Sequence, residues 1–304
     1  MKVSLFDVVL TLIRKVIKIG CIMLKRKNDC LITKARSLRK IRENSFMGNV
    51  PKMINSKIIF KGKNNILYCD KGVVIKNSTL SFYGDNSIIY LNKSKFPYIV
   101  NISIYTNSVI HIGSDNYFNT VCHLICSEGK HIFIGNLNLF SHNITFRNAD
   151  PHLIYSVQNQ QRINLSQSIY IGDHVWIGQN CFLLKGAKIS SGSILGAASV
   201  LSKAVESNSI YAGVPARCIK KDIYWKSDCV HNWDYKKTES SLIDKTSDYV
   251  YKYDIEQCIR FETLDDIFDN LNIQEKFNYL KMLNLKISLN RFCMPYAENI
   301  QNKI

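Results

Sequence analysis

Acidic residues are scarce in this chain, and the scarcity is uneven. Its 304 residues include 24 Asp and Glu against 40 Lys and Arg, which gives a formal net charge of +16. Residues 1–43 carry twelve basic and three acidic residues, so more than half of the excess positive charge lies in this segment. A nucleic-acid interface would therefore be confined to this arm. The rest of the chain contains no nucleic-acid-binding motif, and we expect no nucleic-acid partner.

Long apolar runs and paired cysteines are also missing. A membrane-spanning helix needs roughly 20 consecutive apolar residues, whereas the run at residues 8–13 ends at Arg14. Asp7 breaks the apolar start, and no small-residue cleavage site of a secretion signal follows. The ten cysteines are scattered and form no CxxC pair, which is more typical of buried free thiols than of disulfides or zinc ligands. We therefore expect a cytoplasmic protein.

The N-terminal segment, residues 1–48, has the apolar spacing of an amphipathic helix. Its apolar residues recur at helical intervals, at Leu5, Phe6, Val9, Leu12, Ile13, Val16 and Ile17. Two arrangements fit this pattern. The helix either packs against the body of the protein with a solvated basic face, which we favour, or lies on the anionic inner membrane surface.

Residues 169–206 repeat every six positions. Each hexad begins with an aliphatic residue, at Ile171, Ile177, Leu183, Ile189, Leu195 and Leu201. A small or β-branched residue follows four positions later, at Val175, Cys181, Ala187, Ser193, Ser199 and Val205. A strand has period two and a helix 3.6. A period of six instead predicts a triangular coil with one aliphatic side chain pointing inward from each side, and the register extends back through Ile134, Phe140 and Phe146.

The pattern divides the chain into three regions. We expect a basic helical arm over residues 1–54, a β-solenoid over 55–221 and a mostly helical extension over 222–304. The polar segment 151–168 interrupts the repeat once. Because an insertion at a corner leaves the stacked coils undisturbed, this segment is a natural place for a functional loop.

The motifs of the solenoid resemble those of a known family. IGDHVWIG at residues 171–178, GAASV at 196–200 and AGVPAR at 212–217 resemble the hexapeptide-repeat acyltransferases. This resemblance implies a left-handed parallel β-helix, acetyl-CoA as co-substrate and a homotrimer with its sites in the grooves between subunits. The sequence DPH at residues 150–152 and the loop that ends at Asn164 more narrowly resemble the O-acetyltransferases of bacterial surface polysaccharides, including polysialic acid capsules.

The catalytic residues that the resemblance implies are His152, Trp176 and Asp150. A sugar hydroxyl that attacks a thioester must lose a proton, and imidazole, with an unperturbed pKa of about 6.5, suits a general base near pH 7. His152 stands where the family carries its catalytic histidine, 24 residues before Trp176; the alternative is an ordinary loop histidine. Asp150 either orients the imidazole or is a plain corner residue.

Trp176 is expected to project outward, as an apolar wall for the thioester arm or a sugar ring, or as part of a subunit interface. No Ser or Cys near His152 has the surroundings of an activated nucleophile, so we expect direct attack without an acyl-enzyme.

By position in the family motif, the resemblance assigns the CoA contacts to Gln179, Ala197, Ser202, Lys203, Arg217 and Lys220. The cations among them suit the phosphates of CoA, although each one taken alone is more often a solvated surface charge. The seven histidines include no HxH or HxxxxH pair, and we expect no metal site.

These observations predict a cytoplasmic O-acetyltransferase that moves an acetyl group from acetyl-CoA to a hydroxyl of a bacterial surface glycan, a sialic-acid capsule included. Two alternatives remain. One is an enzyme of the same fold that acts on a small molecule such as a free sugar, serine or an antibiotic. The other is a non-catalytic solenoid that acts as a scaffold for a glycan assembly complex at the membrane through its basic arm.

Overall fold

A computed structural model describes residues 30–245, 248–251, 258–259 and 261–286. The chain winds into a three-sided solenoid of about seven turns, and this left-handed parallel β-helix confirms the predicted fold class. The first side is a sheet that consists, in spatial order, of Cys30–Ile32 (β1), Lys57–Phe60 (β4), Thr79–Phe82 (β7), Val100–Ile104 (β9), Cys122–Cys126 (β12), Thr145–Arg147 (β15), Phe182–Leu184 (β18) and Val200–Leu201 (β21).

The other two sides are built in the same way. The second sheet consists of Ser45–Gly48 (β2), Ile66–Cys69 (β5), Ile88–Leu91 (β8), Val109–Ile112 (β10), His131–Ile134 (β13), Ile169–Ile171 (β16), Lys188–Ile189 (β19) and Ala204–Val205 (β22). The third side begins with the pair Lys52–Ile54 (β3) and Val74–Lys76 (β6) and continues with Tyr117–Phe118 (β11), Leu139–Phe140 (β14), Trp176–Ile177 (β17), Ile194–Leu195 (β20), Ile210–Gly213 (β23) and Ala216–Lys220 (β24).

The N-terminal region differs from the predicted helical arm. Residues 1–29 lie outside the described residues, but residues 30–54 form β1, β2, β3 and the short 3-10 helix Ala35–Lys40. β1 pairs antiparallel with β4, and β2 pairs parallel with β5. The first coil of a solenoid would otherwise leave unpaired backbone groups along its edge. Residues 30–54 therefore form strands that pair with this edge instead of a helix, and the coils begin before residue 55.

The length of the coils explains where the six-residue repeat is visible. In the last coils Phe182 pairs with Val200, an offset of 18 residues, which is three hexads. In the earlier coils Thr79 pairs with Asn101, an offset of 22 residues, which is not a multiple of six. The inward positions remain the same throughout. The six predicted leading aliphatics, from Ile171 to Leu201, are all at most 1% exposed, which confirms their place in the core.

In its described part, the C-terminal extension is only partly helical. It contains Tyr235–Ser240 (α1), Phe261–Asp269 (α2) and Ile273–Lys286 (α3). Helices α2 and α3 cover the outward face of the second sheet, where a ladder of stacked rings runs across successive coils through Tyr68, Tyr90, His111, Phe133 and Tyr170. The two helices thus supply the apolar cover that this face requires.

Substitution of Phe268 in α2 tests whether the helices stabilise the solenoid by covering the second sheet. Its buried ring meets Phe133 edge-on with 5.4 Å between centroids. Phe268→Ala would leave a cavity between helix and sheet, and we expect it to lower the free energy of unfolding by about 3–5 kcal/mol in urea denaturation. Tyr235→Ala, which removes a 78% exposed aromatic ring, is the control and should leave the midpoint nearly unchanged. Equal losses in the two variants would contradict the predicted role of α2.

His131 lies fully buried at the start of β13, beneath the same helices. Its Nδ1 accepts a hydrogen bond from the backbone N–H of Val109 at 3.2 Å, and its ring lies 5.1 Å from that of Phe268. Burial, together with the nearby charges of Lys276 and Lys130, lowers the pKa of His131 to about 3. The imidazole therefore stays neutral in the folded chain over most of the acidic range.

The depressed pKa of His131 makes stability depend on pH. The unfolded histidine takes up a proton near its ordinary pKa of about 6.5, whereas the folded one does not. Its contribution is complete above the unfolded pKa and is lost as the pH falls from there toward a folded pKa of about 3. His131→Asn retains an acceptor for Val109 but cannot titrate. Urea midpoints at pH 7.5 and 4.5 should therefore differ less for it than for the wild type.

The matched control is His123→Asn, the same substitution at an exposed histidine of the first sheet. It should keep the wild-type dependence of the unfolding free energy on pH. If the unfolding free energy of His131→Asn depended on pH as strongly as that of the wild type, the titration of another group would be responsible.

Candidate functional site

The predicted loop forms a hairpin that projects from the corner between β15 and β16. Tyr155 and Arg162 form an antiparallel bridge, and the backbone N–H of Ile163 donates to the carbonyl of Ile154 at 2.9 Å. The tip of the hairpin is solvated, and Val157 is 98% exposed. His152 lies at the base of the hairpin, next to the solenoid.

A single buried amide, that of Asn164, holds the backbone around His152. The Nδ2 of Asn164 donates to the carbonyl oxygen of His152 at 2.7 Å and to a carboxylate oxygen of Asp150 at 3.2 Å. Its Oδ1 accepts from the backbone N–H of Ile154 at 2.9 Å and from Nε of Arg162 at 3.2 Å. These bonds fix the chain on both sides of His152.

Two ion pairs anchor the loop to the coils before and after it. The guanidinium of Arg162 makes a two-nitrogen contact with Glu128 of the preceding coil, and Ser166 also donates to that carboxylate. Arg162 and then Ser166 lower the pKa of Glu128 to about 2. On the other side, Nζ of Lys185 lies 2.6 Å from Asp150 and holds the pKa of that carboxyl below its usual range. The loop is thus clamped from both neighbouring coils.

The contacts of Asp150 differ from those that an orienting residue, one of its two alternatives, would make. Its carboxylate contacts Lys185 and Asn164, and among the described residues no hydrogen bond joins it to the ring of His152. The imidazole itself is exposed and makes no hydrogen bond to any described side chain. His152 is therefore held through its backbone, while its ring is open to a substrate.

Trp176 begins β17 and lies on the outer surface, where 39% of it is exposed. Its ring is 5.9 Å from that of Trp225. Trp225 in turn stacks on His174 with 4.0 Å between centroids, and Tyr249 stacks on the other face of His174 at 4.1 Å. The wall around Trp176 therefore includes residues of the C-terminal extension.

His174 and Trp225 also exchange two hydrogen bonds. The indole N–H of Trp225 donates to the carbonyl of His174 at 3.0 Å, and Nε2 of His174 donates to the carbonyl of Trp225 at 2.9 Å. Burial lowers the pKa of His174. This support for Trp176 was not predicted from the sequence. The signal for it was the histidine of the IGDHVWIG motif, and nothing in the sequence linked that histidine to a ring about 50 residues later.

The solenoid places His152 and Trp176 at different corners. His152 follows the first sheet at the corner that leads to the second sheet, whereas Trp176 begins the third sheet. Strand β16 of the second sheet lies between them in the chain. No hydrogen bond or ring contact joins these two side chains in the described part of the protein. One chain therefore does not bring the expected base and the expected aromatic wall together.

The six residues expected to contact CoA are all exposed. Gln179 and Ala197 share the corner between the third and first sheets, where the N–H of Ala198 donates to the carbonyl of Gln179 at 2.8 Å. Arg217 pairs across β23 and β24 with Ala212, next to that corner, while Lys220 lies at the far end of β24. Ser202 and Lys203 lie at the next corner, between β21 and β22.

The three cations among these residues are available for a ligand. Lys203, Arg217 and Lys220 make no ion pair with a described residue. In the described segments, no three His, Cys, Asp or Glu side chains are grouped so that they could hold a metal ion. None of the described helices combines the length and the apolar character needed to cross a bilayer.

Comparisons with known proteins agree with this geometry. No family model matches the chain, and no curated protein matches its sequence. Among solved structures, the polySia specific acetyltransferase NeuO matches with a TM-score of 0.56 and 26% identity, over 65% of this chain and 93% of its own. The polysialic acid O-acetyltransferase OatWY matches with a TM-score of 0.49 and 25% identity, over 65% of this chain and 98% of its own.

The fold, the loop and the match to NeuO identify this protein as an acyltransferase with the left-handed β-helix of the hexapeptide-repeat enzymes. Within that class, the predicted resemblance to polysialic acid O-acetyltransferases is confirmed.

The hydrogen bonds of Asn164 predict the effect of its loss. Asn164→Ala would leave the carbonyl of His152 and the N–H of Ile154 without their partner, at a cost of about 1–3 kcal/mol for buried polar groups. We expect amide exchange in the peptide spanning residues 150–165 to speed up at least tenfold in hydrogen-exchange mass spectrometry.

The matched control for this prediction is Asn159→Ala. Asn159 is an exposed asparagine at the tip of the same hairpin, and its side-chain bonds are local. Its variant should exchange like the wild type. Unchanged exchange in Asn164→Ala would show that the ion pairs alone hold the loop.

Proposed function

We propose that this protein transfers an acetyl group from acetyl-CoA to a hydroxyl of a bacterial surface glycan. The observation that supports this most strongly is the arrangement of His152. Its backbone is fixed by Asn164, and its imidazole is exposed beside the solenoid and free of hydrogen bonds to described residues. A base that must accept a substrate proton needs this combination of a fixed position and an open ring.

The reaction is a direct transfer with His152 as general base. The imidazole takes the proton of the acceptor hydroxyl while the hydroxyl oxygen bonds to the thioester carbonyl carbon. The carbon–sulfur bond then breaks, and the proton passes to the CoA sulfur, which leaves as the thiol. No covalent acyl-enzyme is needed. Cys181, the cysteine nearest to Trp176 in sequence, is buried, and burial raises the pKa of its thiol.

A complete site requires a neighbouring subunit, and we infer a homotrimer. Because His152 and Trp176 lie at different corners of one chain, the loop of one subunit must meet the Trp176 corner of the next. The loop carries apolar side chains that are at least half exposed in the single chain, namely Leu153, Ile154, Tyr155, Val157, Ile163 and Leu165. Apolar exposure of this extent is typical of an interaction surface.

The CoA contacts in this proposal are Gln179, Ala197, Ser202, Lys203, Arg217 and Lys220. Ala197 would contact pantetheine through its backbone and Ser202 through its hydroxyl, while the three cations would face the phosphates. Gln179 and Ala197 lie at one corner and Ser202 and Lys203 at the next. A groove between two subunits would use both corners.

The acceptor in this proposal is an anionic polysaccharide. The net charge of +16 would attract such a polymer by long-range electrostatics. The solved structure of NeuO is described as that of a polySia specific acetyltransferase. A sialic-acid capsule polymer is therefore the first acceptor to test. We place the reaction in the cytoplasm. Residues 30–48 belong to the first coil, and the basic side chains of residues 1–48 are either solvated or in contact with the inner membrane surface.

The test is thiol release from acetyl-CoA in the presence of a panel of bacterial polysaccharides and free sugars. His152→Ala should lower the rate by a factor of about 10²–10⁴ while CoA binding is retained, since loss of a general base costs that much. His123→Ala, at an exposed histidine of the first sheet, is the matched control and should keep full activity.

Other outcomes would redirect the proposal. Turnover of a free sugar, serine or an antibiotic without turnover of a polymer would favour the small-molecule enzyme. Absence of CoA binding would favour the scaffold. A fully active His152→Ala variant would exclude this residue as the base.

A further inference from the structure

One row of side chains follows the corner between the first and second sheets toward the loop of His152. Successive coils are offset by 22 residues here, so Lys61, Tyr83, Tyr105 and Ser127 occupy the same corner position in consecutive turns. The next member of the row is Ala149, where the loop begins. Since neighbouring strands are about 4.8 Å apart, Tyr105 lies two coils, or about 10 Å, from the base of the loop.

Two tyrosines in this row form an exposed aromatic stack. The rings of Tyr83 and Tyr105 are 5.3 Å apart and 20° from parallel, and the two residues are 36% and 41% exposed. Lys61 covers the outer end of the stack, with Nζ 4.9 Å from the ring centre of Tyr83. At the inner end, Ser127 is too small to cover the ring of Tyr105. The free face of Tyr105 is therefore turned toward the loop.

A cleft of about 510 Å³ occupies the space between Tyr105 and the loop. Its lining includes Ile125 and Arg147 of the first sheet, together with Pro151 and Leu153 on either side of His152. The cleft thus connects the aromatic stack directly with the segment that carries the expected base.

Arg147 is the cation of this cleft that forms no ion pair with a described residue, although its charge also acts on the carboxylate of Asp150 at longer range. Its Nε donates to the carbonyl of Ala149 at 3.2 Å, which points the guanidinium along the base of the loop. The neighbouring cation, Arg162, is paired with Glu128, and Lys185 is paired with Asp150. Arg147 has no ion pair with a described residue, and it is partly buried. A partly buried guanidinium with free N–H groups is suited to bind a carboxylate with two hydrogen bonds.

We propose that this cleft is a sugar subsite that holds a unit of an acidic glycan adjacent to the unit acetylated at His152. A sugar ring lies on the free face of Tyr105, and its carboxylate is bound by Arg147. Tyr83 and Lys61 extend the same surface away from the loop, so it follows a polymer over several units. The inference rests on the proposed function for the presence of a glycan, and it adds the residues that distinguish a polymer from a single sugar.

A flat apolar wall beside a small number of placed polar groups is the usual composition of a sugar-sized binding site. Single-stranded nucleic acid would also stack on tyrosine and pair with arginine. We favour the glycan because the cleft opens onto the loop of His152 and contains one unpaired cation rather than a basic groove.

The experiment compares binding and turnover of sialic acid and its α2,8-linked oligomers of increasing length. Titration calorimetry gives the dissociation constants without acetyl-CoA, and thiol release gives KM and kcat with it. The variants are Tyr105→Ala, Arg147→Gln and Arg147→Lys, the last of which keeps the charge without the two-pronged geometry. Tyr235→Ala and Arg39→Gln, at exposed residues away from the cleft, are the matched controls.

The wild type should bind the oligomers at least tenfold more tightly than the monosaccharide. Tyr105→Ala and Arg147→Gln should each weaken oligomer binding and raise the KM for the oligomer about tenfold. The value of kcat at saturation and the KM for the monosaccharide as acceptor should stay unchanged. Arg147→Lys should fall between Arg147→Gln and the wild type. Oligomers with their carboxylates reduced to alcohols should bind equally to Arg147→Gln and to the wild type.

Several results would contradict the proposed subsite. These are wild-type oligomer affinity in both variants, no gain of affinity with length in the wild type, or tighter binding of oligo-deoxythymidine than of the glycan. The same measurements distinguish failure of the subsite from failure of the proposed acetyl transfer. Thiol release with a neutral glycan alone would leave acetyl transfer intact and remove the acidic subsite. Length-dependent oligomer binding without thiol release would leave the subsite intact and remove acetyl transfer.

Discussion

In-register backbone pairing between successive coils is the constraint on which the rest of the structure depends. His123 pairs with Thr145, and Thr145 pairs with Phe182 although 37 residues separate them. Because each strand lies directly over the strand of the preceding coil, any corner position becomes a straight row along the solenoid. Aliphatic side chains inside the prism stabilise the stack by burial. Outside it, the same registration aligns the rings of the second sheet and the row that leads to the loop.

The loop of His152 is held by interactions of a different kind. It pairs with no strand of the neighbouring coils, and side-chain contacts hold it instead. Asn164 fixes the backbone at the base, and two ion pairs tie it to the coils on either side. Order is therefore greatest at the base of the loop, where His152 lies, and least at the exposed tip. A site built in this way keeps a base in place and leaves the rest of the loop free to contact a second subunit or a substrate.

The C-terminal helices link the cover of the solenoid to the same loop. Asp265 of α2 accepts hydrogen bonds from Ser168 at 2.5 Å and from Tyr170 at 2.6 Å, where the loop rejoins the second sheet. Ser168 in turn accepts a bond from the backbone N–H of buried His131 at 2.9 Å. The extension, for which the sequence predicted only a mostly helical structure, therefore supports the exit of the functional loop as well as the apolar face beneath it.

The hexad pattern and the family motifs, read from the sequence, were enough to predict the coils, the inward aliphatics, the position of the loop and the class of enzyme. These are local or periodic properties, and a repeat can be recognised from the sequence without information on distant contacts. The prediction of a helical arm was wrong over residues 30–54. These residues form three strands and a short 3-10 helix, because the first coil would otherwise leave unsatisfied backbone groups along its edge.

Three things were decided only by the tertiary structure. Asp150 contacts Lys185 and Asn164, Trp176 is supported by Trp225 and His174, and Tyr105 and Arg147 line one cleft. In each case the partners are brought together by the stacking of successive coils or by a segment that returns from elsewhere in the chain. The six-residue repeat carries no information on either kind of long-range contact. The sequence therefore determined the scaffold, and only the tertiary structure determined which side chains meet on it.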